Sequence, residues 1–167
     1  MKKIEIINKA LEFESVEELN DEFAGLVLKA RKAAQNAYAP YSGFKVGAAV
    51  LLDNGKVVTG NNQENAAYPS GLCAERVAVF AAAANYPKAI VKAIAVTASS
   101  DMFTVNTPVS PCGACRQVLA EYEYKSKSNI NVLLSGEQGK VLLIDSIKTL
   151  MPFVFDASEL FNTKAKK

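Results

Sequence analysis

The chain has 167 residues, half of them hydrophobic and 22% charged, which excludes a disordered or collagen-like polypeptide. Lysine and arginine number 19 against 17 acidic residues, and a net charge of +2 offers no broad basic surface for wrapping a nucleic acid. Histidine is absent, which removes every Ser-His, Cys-His and histidine acid–base mechanism and every His-ligated metal site.

Residues 1–14 alternate loosely, Ile4 and Ile6 against Lys3 and Glu5, and read as an N-terminal extension that adds a strand or packs as an arm. A charge inside this short apolar run makes a poor signal peptide. No apolar stretch reaches the ~18–20 residues that span a bilayer, so the expected setting is cytoplasmic, with no membrane partner. Ser15 and Glu18 have capping-box spacing, and the apolar series from Leu19 to Ala37 predicts a helix that stops before Pro40. Phe44–Leu52 predicts a strand whose second half is apolar on both faces, hence a central strand with helices above and below. Asp53-Asn54-Gly55 turns it into a partner strand over 56–60. A buried, alanine-rich helix follows over 72–84, then a strand over 90–97 and a helix from about Cys112 to Tyr122. Strands over 130–135 and 140–144 and a short helix over 147–150 complete the series.

This order predicts one α/β domain over 15–162, a three-layer α/β/α sandwich on a mixed, about five-stranded sheet. Residues 163–167 read as a solvated basic tail.

The three cysteines are Cys73, Cys112 and Cys115, an odd count that suits no disulfide framework. Cys112-Gly113-Ala114-Cys115 alone reads as half a zinc site, a redox dithiol or a coincidence. Cys73 also falls at a predicted helix start, and two helix N-termini presenting thiols can converge where their dipoles favour thiolates. Three ligands without histidine cannot close a structural zinc site, so a position stays open for water, the catalytic arrangement. Arg76 is placed either to hydrogen-bond the sulfurs and offset their charge or simply on a helix surface. Glu75 lies about 200° from Cys73 on an ideal helix, so the two share the site only if Cys73 is at the lip of the first turn. Otherwise Glu75 is an acidic residue favourably near a helix N-terminus.

At these residues the sequence resembles the small zinc-dependent cytidine deaminases, over roughly 20–160. Four ordered blocks carry the resemblance: Pro40–Ala49, Gly60–Pro69, Cys73–Arg76 and Ser110–Leu119. The Cys73/Cys112/Cys115 set is the three-cysteine variant of the zinc-deaminase signature. The resemblance implies one zinc per chain, held by these cysteines, and hydrolytic deamination of cytidine and deoxycytidine in pyrimidine salvage. Glu75 would carry a proton to N3 of cytosine and then to the departing amine. Asn62 and Glu64, two apart and on one side of an extended chain, would hold the ribose, with Phe44 stacking nearby and Ala74 and Tyr68 contacting substrate. The family's C-terminal aromatic reaches a neighbouring subunit's site; Phe155 takes that role, with Phe153 as competitor, in an implied homotetramer. The rival readings are a deaminase of an altered aminopyrimidine nucleoside, an RNA-acting deaminase, a thioredoxin-like dithiol protein and a structural zinc module.

Overall fold

The computed structural model describes residues 1–158, so the basic tail and the expected domain end at 162 lie outside the described residues. Among these residues one mixed sheet runs in the order β1 (Leu11–Phe13), β6 (Val141–Ile144), β5 (Asn131–Ser135), β4 (Val91–Ser100), β2 (Phe44–Leu52), β3 (Val57–Asn61). β4 and β5 are parallel and every other pair is antiparallel. α1 (Asp21–Ala34) covers one face, and α2 (Ala74–Asn85) and α3 (Gly113–Ser126) cover the other.

The sheet has six strands rather than the expected five. Leu11–Phe13 pairs with β6, and Phe13 packs into the α1-side core while Leu11 stays exposed. An added strand is one of the two expectations for residues 1–14, and it falls at Leu11–Phe13 rather than at the alternating residues 3–6. Lys140 bridges Glu12 and Glu14 beside this edge.

The first helix begins later than its apparent capping box. Residues Val16–Glu18 form a separate 3-10 turn, and Glu18 accepts from the Glu14 amide instead of the Ser15 amide. Asn20 is the cap of α1, its side chain accepting from Phe23 N at 2.8 Å.

β2 shows why the sheet is buried on both faces. Ala48, Val50 and Leu52 enter the core beneath α2 and α3, while Ala49 and Leu51 enter the core beneath α1. Two glycines let the helices approach this closely. A Cβ at Gly47 would lie 2.1 Å from the Ala30 carbonyl oxygen, and one at Gly60 would lie 2.5 Å from Ala78 N. Backbone thus packs on backbone, which fixes α2 against β3 and with it the residues at the start of α2.

The far end of α3 is tied down by a buried carboxylate. Glu123 accepts from Ile130 N and Ile147 N, both at 3.0 Å, and from Ser146 Oγ at 2.6 Å. Two backbone amides and a hydroxyl thus find their acceptor in Glu123, which offsets the cost of burying so polar a group.

Candidate active site

Two helix starts build the site. Cys73 is the N-cap of α2 and Cys112 the N-cap of α3, each in extended conformation and neither capping an amide with its sulfur. Cys115 lies in the first turn of α3, buried behind Cys112. N-cap and third-residue side chains face one another at a helix start. Cys112 Sγ and Cys115 Sγ accordingly lie 3.5 Å apart, and Arg76 Nη2, from the equivalent position of α2, lies 3.6 Å from Cys73 Sγ. Cys73 Sγ is 3.8 Å from Cys112 Sγ, and all three sulfurs fall within 4.8 Å of one another.

These spacings fit zinc. Zn–S bonds of about 2.3 Å in a tetrahedron put sulfurs about 3.8 Å apart. The donor chemistry fits as well. The Cys73 thiol is lowered from 9.0 to about 5, first by a hydrogen bond from Cys115 and, against the cost of burial, by Arg76. The same hydrogen bond, with burial, pushes the Cys115 thiol up. The arrangement favours thiolate at Cys73, and a bound metal would displace the remaining thiol protons. Three thiolates around Zn²⁺ would sum to a charge of −1, and the Arg76 guanidinium lies beside Cys73 with the opposite charge.

A cleft of ≈ 390 Å³ opens on this cluster. Phe44, Asn62, Glu64, Tyr68, Cys73, Glu75, Arg76 and Cys112 all line it, which gathers most of the residues expected from sequence. Glu75, only 4% exposed, follows Cys73 by two residues. Its carboxyl is raised above 4.5, by burial first and then by the charge on Cys73. Ala74 is fully buried in the same turn and lies outside the cleft lining. Phe155, 57% exposed, and Phe153, 87% exposed, also lie outside it.

Asn62 and Glu64 do more than face the cleft. The Asn62 amide accepts from Val46 N at 2.7 Å and donates to the Phe44 carbonyl at 2.9 Å, latching the start of β2. Glu64 accepts from Tyr41 N at 2.8 Å, from Ser42 N at 3.3 Å and from the Ser42 hydroxyl. The Ser42 hydroxyl and the Tyr41 amide hold its carboxyl below the ordinary 4.5. Tyr41 in turn meets Tyr68 edge to face, with ring centroids 6.4 Å apart.

Sequence reasoning did not select Gln63, Asn65, Leu72, Val109 and Ser110, which also line the cleft. Gln63, Asn65 and Ser110 sit inside blocks already singled out, whereas Val109 belongs to an irregular loop with no pattern of its own.

Fold and site together define a three-layer α/β/α protein with a three-cysteine cluster able to hold one metal ion. Residues 22–128 match the family described as the cytidine and deoxycytidylate deaminase zinc-binding region, and the chain belongs to that family. It is 42% identical over 135 residues to a cytidine deaminase of Halalkalibacterium halodurans, covering 81% of this chain and 95% of that protein. A cytidine deaminase of Sporosarcina psychrophila is 39% identical, covering 81% of this chain and 92% of that protein. The crystal structure of a cytidine deaminase from Burkholderia pseudomallei superposes with a TM-score of 0.68 at 42% identity, covering 78% of this chain and 97% of that one. Among the described residues no helix is long and apolar enough to cross a membrane.

Proposed function

We propose that this protein hydrolyses cytidine and deoxycytidine to uridine and deoxyuridine with release of ammonia, as a zinc-dependent homotetramer serving pyrimidine salvage in the cytoplasm. The observation that carries the reading is a buried carboxyl, Glu75, beside three thiols spaced for one zinc ion, at the floor of a nucleoside-sized cleft.

Bound zinc supplies Lewis-acid activation of water near neutral pH. Glu75 does the proton work. It takes a proton from the attacking water and gives it to N3, which makes C4 electrophilic. It then takes the proton of the hydroxyl formed at C4 and delivers it to the amino nitrogen as the C4–N bond breaks, so water and the nucleoside become ammonia and the keto product. Burial suits this role, because it keeps bulk water from competing for the proton and draws the carboxyl's pKa toward the working pH. Arg76 stays charged and tempers the electron density of the thiolates.

Glu64 and Asn62 hold the sugar, using acceptor and donor capacity left over from their bonds to residues 41–46. Their fixed orientation means that little rotamer entropy is lost when the ribose arrives. Phe44 packs beside base and sugar, Ala74 contributes backbone at the base, and Tyr68 and the Phe155 of a neighbouring subunit close the cleft. The test is the fall in absorbance of cytidine and of deoxycytidine, with ammonia measured in parallel. Both nucleosides are expected to react and free cytosine far less. Zinc-loaded protein that leaves cytidine unchanged overturns the proposal.

A further inference from the structure

Two residues directly after Cys115 point away from the thiol cluster and toward the C-terminal part of the chain. Arg116 donates through Nε to the Pro111 carbonyl at 2.9 Å and through Nη1 to the Leu150 carbonyl at 2.8 Å. Gln117 donates through Nε2 to the Phe155 carbonyl at 2.7 Å. One planar guanidinium therefore joins the residue just before Cys112 to the end of the 3-10 turn Ile147–Leu150. Its neighbour holds the chain five residues further on.

The segment so held is shaped for presentation. Leu150 and Val154 pack against the α2–α3 core, while Phe153 and Phe155 point away from it and are exposed on the single chain. Phe153 has a φ of 58°, a conformation that an aromatic residue keeps only when its surroundings impose it. On the other side of the clamp, Pro111 ends an irregular stretch from residue 101 and leads directly into Cys112, the most exposed of the three ligands. Elsewhere the loop is pinned where Val105 exchanges bonds with Glu137, and the 3-10 turn starts where Glu123 holds Ser146 and Ile147. Arg116 alone of the two bonds both Pro111 and Leu150, and Gln117 adds a tie from α3 to Phe155.

We propose that Arg116 and Gln117 are positioning residues that join the metal-bearing turn of α3 to the Leu150–Phe155 segment, so that zinc binding and the ordering of Phe153 and Phe155 stabilise each other. Coupling of this kind is reciprocal. Whatever factor the clamp adds to zinc retention, zinc must return as protection of the segment, and such factors typically run about 5–150-fold. Lysine cannot replace Arg116, because a single ammonium on a flexible stem does not present two N–H groups at a fixed angle to two carbonyls.

The test reads metal and backbone, independently of turnover. Zinc affinity, by equilibrium competition with a chromophoric chelator, and chymotryptic cleavage after Phe153 and Phe155 are measured on wild type, Arg116→Lys and Gln117→Ala. Cleavage elsewhere in the chain reports general loosening. Arg116→Lys is expected to bind zinc at least about fivefold more weakly. Stripping zinc from the wild type should accelerate cleavage at Phe153 and Phe155 by a similar factor and at other sites little. Gln117→Ala, which leaves the Pro111 bond intact, should speed the same cleavage with zinc still bound. Should Arg116→Lys fold poorly, the wild-type and Gln117→Ala arms decide alone. Cleavage after Phe153 and Phe155 that is indifferent to zinc, acceleration spread evenly over the chain, or acceleration that appears only when the subunits dissociate in sedimentation, overturns the proposal.

Discussion

Replacing Glu75 by glutamine keeps the shape of the side chain and removes its ability to carry a proton. The structure sets the size of the effect. Glu75 is 4% exposed, so water has little access to take over, and the chain has no histidine to substitute. The other carboxylate in the cleft, Glu64, is engaged by Tyr41 and Ser42 and is held below the ordinary range, which makes it a poor acid at neutral pH. General acid–base groups contribute roughly 10²–10⁴-fold, and one residue serving two transfers belongs at the upper end. Glu75→Gln is thus expected to lose at least about a thousandfold in kcat, or ~4 kcal/mol of barrier. It should keep its zinc, since the amide replaces no metal ligand. Zinc content and cytidine turnover are to be read on the same preparation. The wild-type pH profile gives a second reading. A raised carboxyl stays protonated to higher pH and in that form takes no proton from water. Activity should therefore fall on the acid side with a midpoint above 4.5, and the residual activity of Glu75→Gln should lack that limb. A zinc-loaded Glu75→Gln enzyme within about tenfold of wild type would refute the assignment.

Cys112→Ala leaves two sulfurs of a three-ligand set, so the purified variant should carry far less than the one zinc per chain expected of wild type; metal analysis checks this, and full occupancy counts against the ligand set. Glu64→Gln keeps an amide oxygen for the Tyr41 and Ser42 amides but loses the charged acceptor, so KM for cytidine should rise at least about tenfold with the melting temperature little changed. Gly60→Ala drives a methyl to 2.5 Å from Ala78 N and 2.7 Å from the Ala74 carbonyl oxygen. Overpacking of this kind costs roughly 1–3 kcal/mol, about 2–12 °C of melting temperature in a chain this size, and should weaken zinc retention because α2 carries Cys73.

The interior strands and α2 were legible because each is long enough for its periodicity to count. β2 matched its expected bounds to the residue, and Asp53-Asn54-Gly55 placed its hairpin, with Gly55 at a φ of 77°. Expectation failed where several local signals compete. Ser15 and Asn20 are both good caps, and Asn20 prevails because a helix begun there brings Leu26, Val27 and Ala30 onto the sheet. The last turn of α3 extends to Ser126, four residues past its expected end, and Lys127 closes it in left-handed conformation at a φ of 53°. No sequence pattern announced that Glu123 would be buried, because its three donors come from segments 7 to 24 residues away.

The site itself turns on a distinction that helical-wheel arithmetic does not make. Counting 100° per residue sets Cys73 and Glu75 on opposite sides of a helix. That count applies only to residues inside the helix, and Cys73 is outside it, with φ −73° and ψ 152° at the N-cap. An N-cap side chain turns back over the first turn, toward the residues that follow. Cys73 thereby meets Arg76, Cys112 meets Cys115, and Glu75 reaches the same cleft from within the first turn. The same rule explains why the sulfurs remain free for a metal. A serine or aspartate at either cap would bond the helix amides, whereas a thiol is a weak partner for them, and neither sulfur makes such a bond. Two cysteine caps, with Cys115 one turn behind the second, make two helix ends into one cluster able to hold a metal ion, with a carboxyl lining the same cleft.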